Sequence, residues 1–473
     1  MLASELFGEK WLWHDTEISD ITINSKEVKS GSVFICINGQ NTDGHNFAQN
    51  AAENGAVAVV AEKETACSCP LILCENTKIE MAKISSKFYG EPEKNLKLIG
   101  ITGTNGKTTV SYLVKNILET AGKRVGIIGT NEILVGHDAV GIQSSTPTTP
   151  NSLELHKIFA KMLKMGAEYV VMEVSSHALD LHRVYGLCYE VGVFTNLTRD
   201  HLDYHKTMEN YFLAKAKLFS ISKKGVINVD DEYGKRLSML APCEKMTVGT
   251  KDANLLAQNI ETDEKGSAFS VNYEGETHKI ELGISGMFSV YNALCALAAA
   301  LSCGVDINTA KKGLKNASGV KGRLEKVVTD TDYAVIIDYA HTPDGLENVL
   351  GAVNSFKKGR LIAVFGCGGD RDATKRPIMG DIGTRLSDIA IITSDNPRTE
   401  EPQKIIDDIL KGVKTGEYKV IKDRREAIGY ALSIAKSGDV VLLLGKGQET
   451  YQILGTEKIH FDEREIVKEF LEK

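Results

Sequence analysis

Residues 98–110 read Leu98-Ile-Gly-Ile-Thr-Gly-Thr-Asn-Gly-Lys-Thr-Thr-Val110, which is an apolar strand pattern, a glycine-rich turn and the start of a helix. Gly103 and Gly106 would let backbone N–H groups curl around phosphate oxygens, and the helix N-terminus adds partial positive charge. Lys107 would reach the β- and γ-phosphates of a nucleotide, and the Thr108 hydroxyl would bind Mg²⁺. Ile101 stands where the usual Gly-x₄-Gly-Lys spacing has its first glycine. We therefore predict a shortened phosphate-binding loop; the alternative is a plain glycine turn between a strand and a helix.

Strand and helix patterns alternate on both sides of this loop, which is typical of a mostly parallel sheet covered by helices. A helix is predicted at 108–121, an Ala- and Leu-rich helix at 290–302, and a hairpin at 267–283. Further strands are predicted at 33–37, 56–61, 71–74, 97–102, 124–128, 169–174, 191–195, 225–229, 333–338, 361–365, 389–393, 419–421 and 440–444.

The length and the breaks in the pattern predict three domains. At roughly 150 residues per domain, 473 residues correspond to about three. Gly, Pro and charged residues cluster at 89–95, and the strand–helix rhythm restarts after Arg323. We predict an α/β fold with a small α/β N-terminal domain at 1–92, a central P-loop-type domain with a mostly parallel sheet at 93–322, and a C-terminal Rossmann-like domain at 323–473.

Composition excludes several classes of protein. The chain has 56 Lys+Arg and 63 Asp+Glu, a net charge of −7, and no basic stripe, which argues against a nucleic-acid binder. A hydrophobic content of 42% argues against disorder. No apolar run approaches the roughly 18 residues of a membrane span, and the N-terminus does not resemble a secretory signal. Nine cysteines, an odd number, indicate reduced thiols. We expect a cytoplasmic protein without a membrane span.

Carboxylates and histidines follow two predicted strands of the central domain. Glu173 lies in Met172-Glu-Val-Ser-Ser-His177, at the sheet edge that also carries the phosphate loop. Its carboxylate suits Mg²⁺, which takes oxygen ligands, although a simple polar strand end is an alternative. The run Asn196-Leu-Thr-Arg-Asp-His-Leu-Asp-Tyr-His205 holds His201, with Asp200 as a possible helix cap. Since no His/Cys group has zinc spacing, Mg²⁺ is the predicted metal.

These motifs resemble the Mur ligases of peptidoglycan synthesis, and the resemblance runs nearly end to end. It includes the short phosphate loop, the two runs just quoted and Ala214-Lys-Ala-Lys-Leu-Phe219. The type that adds the third amino acid of the peptide is the most similar. Its features are matched by Asn24-Ser-Lys-Glu-Val28, Asp43-Gly-His-Asn-Phe47, Gly319-Val-Lys-Gly-Arg-Leu-Glu325, Asp338-Tyr-Ala-His-Thr-Pro343, Gly366-Cys-Gly-Gly-Asp-Arg-Asp372 and Ser394-Asp-Asn-Pro-Arg-Thr-Glu-Glu-Pro402.

The resemblance implies an ATP-dependent ligase that acts on UDP-N-acetylmuramoyl-L-Ala-D-Glu through an acyl phosphate, with two Mg²⁺ ions and as a monomer. Its implied catalytic residues are Lys107, Glu173, His201 and Lys215. Thr108, Glu173, His201 and Lys215 would hold the metals, Lys215 as a carbamate (N6-carboxylysine). ATP would contact Gly103, Thr104, Asn105, Gly106, Lys107, Thr108, Thr109, Asn292 and Arg323. The UDP-substrate, held partly by the N-terminal domain, would contact Ser25, Thr148, Thr149, Ser175 and Arg183.

The sequence also bears on which amino acid the ligase would add. meso-Diaminopimelate differs from lysine by a second carboxylate, which a planar guanidinium such as that of Arg398 can bind through two hydrogen bonds. By resemblance, the amino-acid pocket would consist of Arg371, Asp395, Asn396, Arg398, Gly445 and Glu449. We therefore expect meso-diaminopimelate to be the substrate. The chain departs from the family pattern at Lys26, Leu181, Ser289, Lys321 and Gln448, which leaves fine substrate contacts open.

Three alternatives remain from the sequence. The same reaction could use L-lysine, or the chain could resemble the related folylpolyglutamate synthetases, which lack a UDP-binding N-terminal domain. A different class, a non-catalytic ATP-dependent switch, would have no need of the second metal set around Glu173, His201 and Lys215.

Overall fold

The computed structural model describes residues 1–39, 42–263, 265–317 and 319–472. The strands are β1 (Asp20–Thr22), β2 (Ser32–Ile35), β3 (Ala56–Ala61), β4 (Leu71–Leu73), β5 (Lys97–Thr102), β6 (Val125–Ile128), β7 (Ile133–Val135), β8 (Asp138–Ala139), β9 (Tyr169–Glu173), β10 (Tyr189–Phe194), β11 (Ser222–Asn228), β12 (Glu244–Gly249), β13 (Leu255–Leu256), β14 (Gln258–Asp263), β15 (Gly266–Tyr273), β16 (Glu276–Leu282), β17 (Glu325–Val327), β18 (Ala334–Asp338), β19 (Leu361–Phe365), β20 (Ile389–Ile392), β21 (Tyr418–Val420), β22 (Val440–Leu444), β23 (Tyr451–Leu454) and β24 (Glu457–His460).

The helices are α1 (Ala3–Phe7), α2 (Ala48–Glu53), α3 (Thr77–Phe88), α4 (Lys107–Thr120), α5 (Ser152–Lys164), α6 (Ser176–Asp180), α7 (Leu202–His205), α8 (Met208–Ser220), α9 (Glu232–Leu240), α10 (Met287–Ser302), α11 (Ile307–Lys315), α12 (Pro343–Phe356), α13 (Arg376–Leu386), α14 (Pro402–Leu410), α15 (Arg424–Ile434) and α16 (Glu463–Leu471). They form two compact units. The first comprises Met1–Gly100, Gly122–Gly192 and Lys217–Lys223, and the second comprises Ile101–Ala121, Val193–Ala216 and Lys224–Lys473.

The first unit contains a parallel sheet in the order β1-β2-β3-β4. Both of its faces are buried: Val33 and Ile35 of β2 enter one apolar core, while Phe34 packs in another. This two-sided burial explains why β2 and β3 are apolar almost throughout rather than alternating. Elsewhere in the unit, β6 pairs parallel with β9 and antiparallel with β7, so that β9 ends at Glu173.

The second unit contains a six-stranded sheet in the order β17-β18-β22-β19-β20-β21, parallel except for β17. Successive residues of β19 again enter two cores, with Leu361 and Phe365 in one and Ile362 and Val364 in the other. Loops at the carboxyl ends of such strands are where open α/β sheets bind ligands. The loops after β18, β20 and β22 therefore become candidates for function.

The phosphate-loop helix α4 is held by α10 and α11, which pack against it in the second unit. Gly313 of α11 permits this approach, because a Cβ there would lie 2.6 Å from the Cα of Ile117. A β11-β12-β13 parallel set and a β14-β15-β16 antiparallel sheet complete the unit. The α/β fold class predicted from the sequence is confirmed, while the three-domain division stays a prediction.

Most predicted elements lie within a few residues of their observed bounds. The predicted hairpin at 267–283 is present as β15 and β16, with positive φ at Glu274 and Gly275 in its turn. A third strand, β14, extends it and was not predicted. Its sequence Gln-Asn-Ile-Glu-Thr-Asp has a single apolar residue, and its side chains are largely exposed. Sequence periodicity is weak in such a strand because no buried face imposes one.

Candidate active site

The phosphate loop lies between β5 and α4, as predicted. Gly103 and Gly106 have φ values of +150° and +86°. A Cβ on Gly103 would lie 1.9 Å from Thr195 Oγ1, and one on Gly106 would lie 2.4 Å from Asn292 Oδ1. Both positions therefore need glycine for space as well as for backbone conformation. The predicted adenine contact, Asn292, thus lies directly against the loop.

Side chains after β10 hold the loop from one side. Thr195 Oγ1 donates to the Asn105 carbonyl over 2.6 Å, and the Asn105 N–H donates to Asn196 Oδ1 over 2.9 Å. Thr104 Oγ1 lies 3.2 Å from the hydroxyl of Tyr211. Lys107 Nζ donates to the loop carbonyls of Gly103 and Thr104 over 3.0 and 2.8 Å. The loop is therefore a pre-formed backbone turn with a cation at its centre, as phosphate binding requires.

Lys215 on α8 reaches the same loop from inside the unit. Its side chain is completely buried, and Nζ donates to the Gly103 carbonyl over 2.8 Å and lies 4.7 Å from the centre of the Tyr211 ring. Burial lowers the pKa of Lys215 well below its ordinary value, and the nearby Lys107 lowers it further. Two lysines thus share one carbonyl oxygen, which favours the neutral amine at Lys215.

Asp200 lies next to His201, and two side chains from later segments, His341 and Lys375, approach its carboxylate. Its carboxylate lies 3.6 Å from His201 Nε2, 4.0 Å from His341 Nε2 and 3.9 Å from Lys375 Nζ. Burial raises the pKa of Asp200, but His201, Lys375 and His341 lower it more. The pKa of Asp200 therefore lies well below its usual range. Burial, reinforced by Lys375, lowers the pKa of His341 to about 4. Asp200 is thus a buried counter-charge rather than a helix cap.

Arg323 connects the nucleotide loop with the segment before β17. Arg323 Nη2 donates to Thr108 Oγ1 over 3.2 Å, and its guanidinium lies 4.6 Å from the centre of the Tyr339 ring. Thr109 follows in α4 and is buried. Asn105 Nδ2 donates to Asp344 Oδ2 at the start of α12 over 2.7 Å. The second unit therefore brings together all the residues predicted to contact ATP.

The predicted amino-acid pocket has a cationic side formed by Arg371 and Arg398. Arg398 adopts a positive φ of +53°, and its Nη1 donates to the Gly369 carbonyl over 2.7 Å. Burial lowers the pKa of Arg398, and the charge of Arg371 lowers it further. Two guanidinium groups that repel each other in this way form a favourable site for a carboxylate.

The predicted pocket also has two carboxylates, those of Asp395 and Glu449. Asn396 Nδ2 donates to Glu449 Oε2 over 2.9 Å, and Asp395 is buried beside Gly445. A Cβ on Gly445 would lie 2.6 Å from Asp395 Oδ2, so glycine allows the two strand ends to meet. Burial raises the pKa of Glu449. The structure also places Lys446, which the sequence analysis did not single out, between these acceptors.

Glu173 belongs to the first unit, at the end of β9. Its Oε1 accepts from the Thr130 N–H and its Oε2 accepts from Thr130 Oγ1, each over 3.0 Å. Thr130 Oγ1 is in turn 3.1 Å from Thr148 Oγ1. Thr130 thus fixes the orientation of the Glu173 carboxylate, and carboxylate oxygens are ligands that Mg²⁺ prefers. Thr130 was not predicted, because it comes 43 residues before Glu173 in the sequence.

Three of the residues predicted to hold the UDP-substrate are in contact with one another in the first unit. The Ser175 N–H donates to Thr149 Oγ1 over 3.0 Å, and Arg183 Nη1 donates to the Thr149 carbonyl over 2.9 Å. Thr148 precedes them with a φ of +65°. Ser25 lies after β1, where its carbonyl accepts from Asn54 Nδ2 over 3.2 Å. The cluster at Thr149 is thus joined by hydrogen bonds, while Ser25 stands in a separate loop.

The described residues, 1–39, 42–263, 265–317 and 319–472, were searched for metal-binding groups and for membrane-spanning helices. Within these ranges, no three His, Cys, Asp or Glu side chains are grouped as a ready-made metal site. In the same ranges, no helix has the length and apolar character needed to cross a membrane.

Comparison with known proteins identifies the family. Residues 17–97 match the model for the "Mur ligase family, catalytic domain", 101–300 the "Mur ligase middle domain", and 322–447 the "Mur ligase, glutamate ligase domain". A UDP-N-acetylmuramoyl-L-alanyl-D-glutamate–2,6-diaminopimelate ligase from Clostridium acetobutylicum is 50% identical over 97% of this chain and 96% of the relative. One of the same name from Bacillus velezensis is 45% identical over 96% and 94%.

Solved structures agree with the sequence relatives. A structure of a UDP-N-acetylmuramoyl-L-alanyl-D-glutamate–2,6-diaminopimelate ligase superposes with a TM-score of 0.70 and 30% identity, covering 100% of this chain and 99% of that one. The resemblance seen in the sequence motifs is thereby confirmed. The chain belongs to the Mur ligase family.

Proposed function

We propose that this chain is an ATP-dependent amide ligase that adds meso-diaminopimelate to the D-Glu side-chain carboxylate of UDP-N-acetylmuramoyl-L-Ala-D-Glu, in the cytoplasm. The observation that carries the proposal is the set of basic and acidic side chains in the loops after β19, β20 and β22. Arg371 and Arg398 offer guanidinium groups, and Asp395 and Glu449 offer carboxylates. A free amino-acid end, with its own carboxylate and ammonium, is complementary to such a pocket, whereas the distal end of L-lysine lacks the carboxylate.

ATP would bind on the phosphate loop, with Lys107 against the β- and γ-phosphates and the α4 N-terminus facing them. The γ-phosphoryl group would pass to the D-Glu carboxylate, giving an acyl phosphate and ADP. The amine of the incoming amino acid would then attack the acyl carbon, forming the amide and releasing phosphate. Such transfers depend on positioning and charge neutralisation more than on a covalent catalyst. Lys107 and Arg323 are the cations suited to that role.

The residues present fit a family that uses Mg²⁺. The phosphate loop is a backbone cradle that a Cβ at Gly103 or Gly106 would fill, and the Glu173 carboxylate is oriented by Thr130. Thr108, Glu173, His201 and a carbamate on Lys215 would hold two ions. Bound Mg²⁺ supplies charge neutralisation of phosphate oxygens. The chain's own contribution is the fixed carboxylate and the pre-formed turn.

Carbamylation of Lys215 has a physical basis in the loop. The amine would attack CO₂, forming an N–C bond, and the released proton would pass to solvent. Only the neutral amine reacts, and the burial of Lys215 beside Lys107 favours that form. The product is an anion, which replaces repulsion from Lys107 with attraction. This chemistry gives a reason for a completely buried lysine to contact a phosphate loop.

The UDP-substrate would be held by Ser25, Thr148, Thr149, Ser175 and Arg183. The Arg183 guanidinium already orients the Thr149 carbonyl, and Thr149 in turn orients Ser175. We propose the division 1–92, 93–322 and 323–473 for the domains that take the UDP-substrate, ATP and the amino acid. We also propose that the enzyme acts as a monomer.

The test is ADP formation by the purified protein with ATP and Mg²⁺. We expect release only when both UDP-N-acetylmuramoyl-L-Ala-D-Glu and an amino acid are present, and much faster release with meso-diaminopimelate than with L-lysine. ATP turnover that is indifferent to both substrates would instead indicate a nucleotide-driven switch. Equal rates with the two amino acids would refute the assignment of the pocket.

A further inference from the structure

Lys446 is the least exposed charged group of the amino-acid pocket. It follows β22, and its side chain has no exposed surface, although lysine is rarely buried completely unless it is paired. Its Nζ donates to Asn396 Oδ1 over 3.1 Å and to Glu449 Oε2 over 3.3 Å, and lies 4.0 Å from Asp395 Oδ1. Lys446 therefore contacts three groups that were assigned to the substrate, without itself lying at the surface of the pocket.

The turn around Lys446 holds its side chain inward. Gly445 and Gly447, on either side, have φ values of +110° and +55°. A Cβ on Gly445 would lie 2.6 Å from Asp395 Oδ2, and one on Gly447 would lie 2.6 Å from the Cβ of Tyr339. Both glycines thus let the turn press against its neighbours. The long side chain between them is consequently fixed rather than free to leave for solvent.

Lys446 also decides which way the Asn396 amide points. Asn396 Oδ1 accepts from Lys446 Nζ and from the Ile453 N–H over 3.1 and 3.0 Å. Because both of these groups can only donate, the oxygen has to face them, and Nδ2 is directed to Glu449 Oε2. One edge of the Glu449 carboxylate is therefore occupied by Asn396 and Lys446. The other carboxylate oxygen, Glu449 Oε1, accepts from the Tyr451 hydroxyl over 3.4 Å.

The charge of Lys446 completes the arrangement. Asp395 and Glu449 are two carboxylates in a largely buried setting, where like charges repel strongly. Lys446 lies between them and offsets one of the two charges.

We propose that Lys446 is a positioning and specificity-determining residue: it holds Asn396 and Glu449 as one rigid acceptor edge for the distal ammonium group of the amino-acid substrate. This inference rests on the proposed function. Lys446 does not touch the substrate or the reacting atoms; it acts through Glu449. Its loss should therefore change the use of the amino acid and leave the use of ATP intact.

The experiment is a double-mutant cycle with Lys446→Met, Glu449→Gln and the combined variant, followed by ADP formation. We expect Lys446→Met to raise the KM for meso-diaminopimelate by more than about tenfold, since a buried charge pair loses one partner. The KM for ATP should change by less than about twofold. In the Glu449→Gln background, Lys446→Met should add less than about threefold, because coupled residues are not additive.

The control is Lys404→Met, an exposed lysine of α14. It should leave both KM values unchanged. Independent, multiplicative losses from Lys446→Met and Glu449→Gln would overturn the inference, as would an equal rise in the KM for ATP. Should Lys446→Met lose its cooperative thermal transition, Lys446→Gln, which keeps an N–H donor, takes its place in the same cycle. Wild-type protein without diaminopimelate-dependent ADP formation would refute the proposed function instead.

Discussion

Lys215 of α8 and Lys446 after β22 are both completely buried in the second unit, yet the charges around them differ. Lys215 shares a carbonyl oxygen with Lys107, whose like charge acts on it more strongly than the opposite charge of Asp200. Lys446 lies between Asp395 and Glu449, so its nearest charges have the opposite sign. A buried charge is tolerated when it is paired and hydrogen-bonded, and it is costly when it is not.

The difference indicates different uses of the same residue type. At the phosphate loop, the structure disfavours an ammonium and favours an amine that can be modified. In the amino-acid pocket, the structure is complementary to an ammonium that stays in place. Lys215 is therefore suited to covalent modification, and Lys446 is suited to holding neighbouring side chains in place.

Replacement of Lys215 by alanine should have the largest effect. It removes the proposed carbamate and, with it, an anion required beside the phosphates, so kcat should fall by more than about a thousandfold. The measurement is ADP formation at saturating substrates, with CO₂-depleted and bicarbonate-supplemented buffers compared for the wild type. Lys217→Ala, two residues further along α8 and exposed, is the matched control and should stay within about twofold. Full activity of Lys215→Ala, insensitive to bicarbonate, would contradict the assignment.

Replacement of Arg398 by alanine should have the next largest effect. It should lower the use of the amino-acid substrate and leave the use of ATP unchanged. Loss of a half-buried guanidinium that binds a carboxylate should cost about 2–4 kcal/mol, or roughly 30- to 1000-fold in kcat/KM for meso-diaminopimelate. The KM for ATP should hardly change. Arg385→Ala, an exposed arginine of α13, serves as the control. Equal losses for ATP and for the amino acid would mean that Arg398 supports the fold rather than the pocket.

Replacement of Gly106 by alanine tests how closely the phosphate loop is packed. The new Cβ would lie 2.4 Å from Asn292 Oδ1, so the adenine contact and the loop cannot both keep their positions. We expect the KM for ATP to rise about tenfold, with the KM for the amino acid unchanged. Gly122→Ala has a similar φ, +75°, but no neighbour within 4 Å, so it isolates the backbone cost. An equal effect of the two substitutions on ATP would show that the contact with Asn292 is unimportant.

Much of the fold could be predicted from the sequence because its signals are local. Strands such as β19 and β22 are apolar on both faces, and the Gly-Lys-Thr turn lies between a strand and a helix. These features depend on residues adjacent in the chain. Arg398 and Lys215 were found for a similar reason, since each lies in a recognisable short motif.

The supporting residues were not predicted because they act across long sequence separations. Thr130 orients Glu173 from 43 residues away, and Lys446 orients Asn396 from 50 residues away. Asp200 is surrounded by His341 and Lys375, which come from later segments of the chain. The hydrophobic periodicity of the sequence does not indicate contacts between such distant residues. The one local signal was the pair of glycines around Lys446, which marks a turn that approaches its neighbours closely.

The pH dependence of amino-acid use should show the smallest effect, and it separates the two carboxylates beside Lys446. Burial raises the pKa of Glu449, whereas Lys446 and Arg424 outweigh burial at Asp395 and hold its pKa below the ordinary range. As the pH falls, Glu449 therefore takes up a proton first, and the ammonium of the substrate loses its acceptor. We expect the KM for meso-diaminopimelate to rise about threefold as the pH is lowered below neutrality, with Glu449→Gln flat over the same range. A parallel rise in wild type and Glu449→Gln would assign the titration to a group outside the Lys446 cluster, and the contrast between the two lysines would then rest on Lys215 alone.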